Sequence, residues 1–154
     1  MAENIGSGLR RCACVATFHG IVLSPLAAAP EICATGTRVD TRLRDSAAGS
    51  GREVRFYTSA EAKITLVSRQ IDTAFALLAG LVVGKDLSAT DRRHPLVFTP
   101  VDAPPGSGVL TFPAACLLPD FTFLPHAGRD HEIRLTFLAL PDASGRLFTF
   151  GAPR

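Results

Sequence analysis

Tryptophan is missing from the sequence, and its 154 residues include a single tyrosine and a single methionine. The remaining aromatic residues are ten phenylalanines, which suit a packed core better than a platform on which nucleic-acid bases stack. Long apolar runs are also missing. The longest, residues 74–83, contains Gly80 and falls short of the ~20 residues that a membrane-spanning helix needs. The sequence therefore predicts no membrane anchor.

The N-terminus lacks the pattern of a secretion signal, because its basic residues are not followed by an apolar stretch. We expect a soluble chain that is made in the cytoplasm. Its length is that of one ordinary domain, and 47% hydrophobic residues are enough for a single core. The prediction is one domain, residues 1–154, with a flexible N-terminal arm at about 1–8.

Charge of one sign is not in excess, since 16 basic and 14 acidic residues leave a formal net charge of +2. A dedicated nucleic-acid binder usually has a clear basic excess on one face. Basic residues do gather between Arg38 and Arg69, and a solvated strand face explains them better than a phosphate-facing one.

Cysteine is sparse, and the four residues are spaced irregularly. Reduced, buried thiols are the default in a chain that can build a core without disulfides. Cys12 and Cys14 lack the two-to-four-residue gap of zinc ligands, and no second close pair follows. The sequence predicts no metal site.

Catalytic motifs are missing as well. His131 precedes Glu132, but no HExxH pattern follows, so we interpret it as part of a charged strand entrance. No GxSxG pentapeptide occurs, and the three Gly-Ser-Gly triplets lack the lysine and helix of a phosphate loop. We predict no catalytic residue and no cofactor, and we do not expect an enzyme.

Strand patterns dominate what is present. Residues 9–23 are rich in strand-forming side chains and bend at Gly20. Residues 37–44 alternate, which predicts a half-buried strand with a polar face. That polar face consists of Arg38, Asp40, Arg42 and Arg44. Residues 52–67 alternate again, with an irregularity near Ser59 and Ala60 that indicates a bulge.

A small, polar segment joins these two strands and predicts a long, exposed hairpin tip. Its residues are Asp45, Ser46, Ala47, Ala48, Gly49, Ser50 and Gly51. Side chains this small have little with which to anchor the segment in a single subunit.

The period changes to that of a helix after Ser68, which suits an N-cap. Apolar residues recur at three-to-four spacing, and Gly80 and Gly84 mark the expected end of the helix. The predicted core stripe is Ile71, Phe75, Leu78 and Val82. So wide a stripe requires a sheet to cover it.

Prolines recur frequently from Pro95 onward, and proline is disfavoured inside helices and central strands. This part of the chain is therefore expected to form short strands between turns. We expect strands at 96–99, 109–118, 132–140 and 146–150, the last after a Pro-Asp-Ala-Ser-Gly turn at 141–145. The predicted fold class is mainly β, a β-sandwich or partial barrel, with one short α-helix.

Two segments carry a resemblance to a known family. Residues 62–72, AKITLVSRQID, lead into AFALLAG at 74–80, and HEIRLTFLALPDASGRLFTFG closes the chain at 131–151. The first is similar to the strand-to-helix unit, and the second to the closing strands, of tail tube proteins (major tail proteins) of long-tailed bacteriophages. The likeness extends over roughly residues 9–151 and is a pattern of elements without an invariant motif.

This resemblance implies a virion subunit that forms stacked, hexameric rings, in which the strands are completed into a larger barrel by oligomerisation. DNA would pass through the lumen of these rings without sequence specificity. The implied partners are further copies of the chain and other tail proteins: tape measure, terminator and baseplate. Residues 45–51 would contact the adjacent ring. The family's lumen tends to be lined by acidic side chains, and the arginines at 38–44 do not fit that pattern.

The sequence is also compatible with two other functions. A tail terminator, baseplate hub or head–tail connector shares related folds and would look alike in a single sequence. A protein of another class, either a small-ligand-binding β-barrel or an enzyme with dispersed site residues, is the further alternative.

Overall fold

The computed structural model of the chain describes residues 14–44, 51–82, 84, 86, 90–101, 104 and 107–151, with backbone only for 40–44, 51–57 and 90. These residues form eight strands and one α-helix. They are β1 (Cys14–Phe18), β2 (Ile21–Val22), β3 (Glu31–Arg44), β4 (Gly51–Ser68), α1 (Ile71–Ala79), β5 (His94–Pro100), β6 (Leu110–Leu124), β7 (Glu132–Leu140) and β8 (Thr149–Phe150). The prediction of a mainly β chain with one short helix is confirmed.

The strands form one sheet in the order β2-β1-β5-β6-β7-β4-β3, and β8 pairs with the start of β6. Every described pairing is antiparallel. The turn between β1 and β2 is a two-residue hairpin in which His19 and Gly20 have φ of 50° and 74°. Such positive values fit the right-handed twist of the two strands and explain the bend predicted at Gly20.

The sheet curls on itself into a partial barrel. Phe18 on β1 and Phe137 on β7 have ring centroids 4.9 Å apart, although their strands would lie about 14 Å apart in a flat sheet. The segment after β2 also crosses to the end of β4, where the Ala27 N–H donates to the Val67 carbonyl at 2.8 Å. The core lies inside this curl.

Alternation along β4 and β7 produces the core. Ile64 and Leu66 on β4, and Leu135 and Phe137 on β7, are buried, whereas the residues between them are exposed or half-buried. Each buried side chain of this size contributes roughly 1.5–3 kcal/mol relative to its exposed state. The same period of two that predicted the strands therefore fixes which face is buried.

The helix begins and ends differently from the prediction. Its N-cap is Gln70, whose side chain makes no capping hydrogen bond. Ser68 is instead the buried last residue of β4, where its hydroxyl donates to the Leu23 carbonyl at 2.5 Å and accepts from the Gln70 N–H at 3.0 Å. The Ser68 prediction was wrong because the serine hydroxyl is used to join β4 to the chain after β2.

Val82 was also wrongly placed in the helical stripe. The helix ends at Gly80, and Val82 lies beyond it with 53% of its surface exposed. Ala74 is fully buried, and Ile71, Phe75 and Leu78 are half-buried against the core.

Two strands near the C-terminus differ from the prediction. β6 continues through Pro119 to Leu124, because a register shift between Leu117 and Phe121 accommodates the proline. The last strand is shorter than expected, Thr149–Phe150. Asp142 Oδ1 accepts hydrogen bonds from the backbone N–H groups of Ser144 and Arg146, which keeps residues 142–146 in a turn.

Candidate functional site

The outermost strand of the sheet, β3, is its most prominent surface feature. It is 14 residues long, and β4 is its sole described neighbour. All side chains from Glu31 to Arg38 are exposed, and Val39 is half-buried. A long strand with one free edge presents a row of backbone N–H and C=O groups to which another strand can bind.

The far half of the β3–β4 hairpin consists of two strands alone. β4 pairs with β7 only over Ala62–Ser68, so that its residues 51–59 have β3 as their only described partner. Isolated two-stranded ribbons are marginally stable in water. This half of the hairpin therefore gains stability from any strand that pairs with it.

A β-bulge marks the start of this ribbon. The register passes from the pair Thr37–Ser59 to the pair Arg38–Tyr57, which leaves Thr58 as the extra residue. The Thr58 hydroxyl donates to the Thr37 carbonyl at 3.3 Å. The irregularity was predicted at Ser59 and Ala60, one residue away. A bulge at Thr58 increases the local twist of the two strands.

The two faces of β3 differ in character. Ile32 and Ala34 lie opposite the buried Ile64 and Ala62, so they share the core side of the sheet. The residues between them lie on the other side, which is polar. It carries Glu31, Cys33, Thr35 and Thr37.

The residues singled out by sequence are placed as follows. Arg38 is exposed on β3, and Asp40, Arg42 and Arg44 follow it on the same strand, paired with Arg55, Glu53 and Gly51. Residues 45–50 and the arm 1–8 lie outside the described residues. Gly51 was assigned to the hairpin tip but is the first residue of β4, because it pairs with Arg44.

The opposite edge of the sheet is closed. β2 covers the end of β1, and Ser24 covers the rest: its hydroxyl accepts from the Ala16 N–H at 2.9 Å and donates to the Cys14 carbonyl at 3.3 Å. Blocking an edge in this way prevents strand addition there. No sequence motif indicates this contact, because it joins groups that are eight and ten residues apart in a loop and a strand.

A cleft of about 290 Å³ lies between the β1–β2 turn, the end of α1 and the 3₁₀ turn Thr90–Arg92. The rings of His19 and His94 lie against each other in it, with centroids 3.7 Å apart and planes tilted by 37°. Burial and the neighbouring His19 lower the pKa of His94, and Asp91 opposes that shift. Asp91 and Arg92 also line the cleft, together with apolar side chains that include Phe18, Leu77 and Leu81.

The remaining histidines organise the loop between β6 and β7. The backbone N–H of His126 donates to His131 Nδ1 at 3.0 Å, and His126 Nε2 lies 3.5 Å from a Glu132 carboxylate oxygen. Among the described residues no cluster of three or more metal-ligating side chains is found. This arrangement supports a structural role for the charged strand entrance.

Of the three described cysteines, one is the buried thiol that we expected. Cys116 is buried, and burial raises the pKa of its thiol. Cys14 is half-buried, whereas Cys33 is exposed because β3 has no buried face at that position.

Comparison of the sequence with protein-family models and with curated proteins gives no match. Solved structures share the fold, among them the following three. One is the tube-terminating cap of the anti-feeding prophage (TM-score 0.56, 10% identity, 93% of this chain and 90% of that one). The second comes from the sheath–tube complex of the extracellular contractile injection system PVC (TM-score 0.53, 10% identity, 99% of this chain and 100% of that one). The third is from the sheath/tube terminator of the same system (TM-score 0.51, 9% identity, 82% of this chain and 88% of that one).

These likenesses establish that the chain has the fold found in tube and terminator assemblies of contractile injection systems. At such low identity they define the fold and not the role. Within the described residues no helix is long and apolar enough to cross a membrane.

Proposed function

We propose that the chain is a structural subunit of a phage or phage-derived tail tube, which assembles into stacked hexameric rings that form a conduit for DNA. The observation that carries the proposal is the open edge of β3 on a fold shared with tube and terminator proteins. In a ring, the edge of each subunit is paired by the next one, and closure removes all free edges.

The distribution of open and closed edges supports assembly over aggregation. One side of the sheet is blocked by β2 and Ser24, and the other side presents 14 residues of backbone. A single long open edge gives the subunit a defined surface for a neighbour. A ring forms where a different surface of that neighbour receives the edge.

The proposed partners are further copies of the chain and the other tail proteins, namely tape measure, terminator and baseplate. DNA would pass through the lumen without sequence-specific contacts, and the protein would reside in the virion tail after synthesis in the host cytoplasm. Residues 45–51 are proposed to contact the adjacent ring. No cofactor and no enzymatic role are proposed.

The second candidate function is a tail terminator, baseplate hub or head–tail connector. The likeness to a tube-terminating cap and to a sheath/tube terminator favours the terminator among these. A terminator would form a single ring, whereas a tube subunit would also stack. A small-ligand-binding β-barrel is less well supported, since the curled interior is filled by side chains of the core.

Electron microscopy and light scattering of the purified chain over a range of concentration and salt test the proposal. Tubes of stacked rings are the expected result. Single rings that never lengthen would identify the second candidate, and a monomer under every condition would exclude both. Thermal stabilisation of such a monomer by a small ligand would then favour the ligand-binding barrel.

A further inference from the structure

We propose that the loop between β6 and β7, residues 125–131, is a pH-sensitive clasp that is closed while His126 and His131 are neutral and opens when they are protonated. The inference goes beyond the proposed function and does not depend on it. It follows from the hydrogen-bond partners of the two imidazole rings, because these partners fix which ring nitrogens are free of hydrogen.

The first contact of the clasp spans the loop. The backbone N–H of His126 donates to Nδ1 of His131, five residues further along, at 3.0 Å. A backbone N–H can only donate, so Nδ1 of His131 carries no hydrogen, and the neutral ring carries its hydrogen on Nε2. This hydrogen bond ties the end of the loop next to β7 back to its start.

The second contact constrains the other ring in the same way. The Arg129 guanidinium donates to Nδ1 of His126 at 3.1 Å. Arginine has donors only and keeps its charge over the whole ordinary pH range. Nδ1 of His126 is therefore also free of hydrogen in the closed loop.

Protonation of either ring is incompatible with these contacts. An imidazolium carries a hydrogen on both nitrogens and has no acceptor. A proton on His131 therefore removes the acceptor for the His126 N–H. A proton on His126 places two donors and two positive charges against each other at Arg129. Because unperturbed histidine gains its charge between pH 8 and pH 5, mild acid opens the clasp.

The charged neighbours make His131 the controlling residue. Nε2 of His126 lies 3.5 Å from a carboxylate oxygen of Glu132, which attracts the protonated ring against the repulsion by Arg129. The described contacts of His131 are uncharged: the His126 N–H and the ring of Phe123, which lies edge-on at 5.7 Å. Asp130 precedes it along the chain but is exposed, so water screens its charge.

Opening of the clasp changes the apolar surface at this end of the sheet. The ring of Phe123 contacts Phe75 of α1 as well as His131, and 37% of the residue is exposed in the closed form. Loss of the His131 contact uncovers more of this ring. The core residue Ile133 lies just beyond the clasp and is fully buried. Acid would therefore expose aromatic surface beside the loop while the sheet stays folded.

Hydrogen–deuterium exchange of the full chain, read by mass spectrometry on peptides that cover residues 124–131, tests the proposal at about pH 7.5 and about pH 5. His131→Asn is the matched variant, because Oδ1 of asparagine places an acceptor near the position of Nδ1 and does not titrate. His131→Ala has no acceptor at any pH. Each wild-type rate is divided by the rate of a variant at the same pH, which cancels the pH dependence of the exchange chemistry itself.

We expect the wild-type loop to exchange like His131→Asn at the higher pH and roughly 2- to 12-fold faster than it at the lower pH. This range corresponds to the net free energy of one hydrogen bond. His131→Ala should exchange faster than the wild type at the higher pH and equally fast at the lower pH. Peptides from β4 and β7 should keep their rates relative to the variants.

A ratio of wild type to His131→Ala that is the same at both pH values would overturn the proposal, even if asparagine did not restore the hydrogen bond. Faster exchange of β4 and β7 in acid, or an acid effect that is lost in His94→Gln, would also overturn it, because the loop would then be reporting unfolding linked to His94. The readout does not involve assembly, so failure of the clasp would leave the proposed function intact.

Discussion

At the scale of single residues, burial separates two phenylalanines that look equivalent in the sequence. Phe137 is fully buried within the curled sheet and contacts Phe18, whereas Phe75 is half-buried on the helix. The alternation and the helical period identified both as apolar positions. Only the packing shows that one of them loses far more contacts on truncation.

We predict that Phe137→Ala lowers the free energy of unfolding by about 3–5 kcal/mol, a large part of the total stability of a domain. Phe75→Ala should cost less, because part of its ring already faces water. Urea unfolding followed by circular dichroism measures both. An equal loss for the two variants would contradict this assignment of the core.

His94 gives a prediction about pH. Its pKa in the folded protein is lowered by burial and by His19, against Asp91, so the unfolded chain binds the proton first. Stability should therefore be unaffected above the ordinary histidine pKa of about 6.5 and should fall as the pH drops below it, until folded and unfolded forms are both protonated.

His94→Gln removes this contribution while retaining a polar side chain. We expect the melting temperature of the wild-type chain to fall more steeply between about pH 7 and pH 5 than that of the variant. Melting curves at several pH values in one ionic strength test this. Parallel curves would show that protonation of His94 is not linked to folding.

At the scale of the element, β3 is a strand that has a partner along one edge and is otherwise exposed. Its hydrogen bonds to β4 define it, and all of its residues at 31–38 are exposed in the single chain. We infer that its sequence is adapted to the assembled state more than to the stability of the monomer.

Ala34→Lys should separate these two states. Ala34 is exposed on the edge strand, so lysine should change the free energy of unfolding by no more than about 0.5 kcal/mol. A charged side chain on the apolar side of an edge prevents strand addition. We expect rings and tubes to be lost while the melting temperature stays unchanged.

Ser144→Lys adds the same charge at an exposed turn and should assemble normally. Electron microscopy and thermal melting of both variants are sufficient. Normal tubes from Ala34→Lys would mean that β3 is not an assembly edge.

At the scale of the whole molecule, the sheet has two distinct ends. The β3–β4 tip follows Arg44, and the loop between β6 and β7 lies at the other end of β4, where Ser68 pairs with Ile133. A subunit with unlike ends can stack head to tail, which generates an open-ended tube.

We predict that replacing residues 45–50 with an Asn-Gly turn spares the fold and ring formation but prevents stacking. The strands at both sides keep their pairs, and Asn-Gly is a favoured two-residue hairpin turn. Electron microscopy would show single rings in place of tubes. Tubes of normal length would show that the segment only connects β3 to β4 and has no role in stacking.

Local sequence pattern determined much of this protein. Alternation at 52–67 and 132–140 identified β4 and β7, the helical period identified α1, and the irregularity near Ser59 anticipated the bulge at Thr58. These features depend on side chains that are neighbours along one element, and such periods can be read directly from the chain.

The tertiary structure alone decided the strand order, the closed edge at Ser24 and the exposure of Cys33 and Val82. It also reassigned Ser68 from a helix cap to a hydrogen bond with a residue 45 positions away. All of these depend on which distant segments lie side by side. A period of two fixes the two faces of a strand, but it does not specify which strands will meet at its edges.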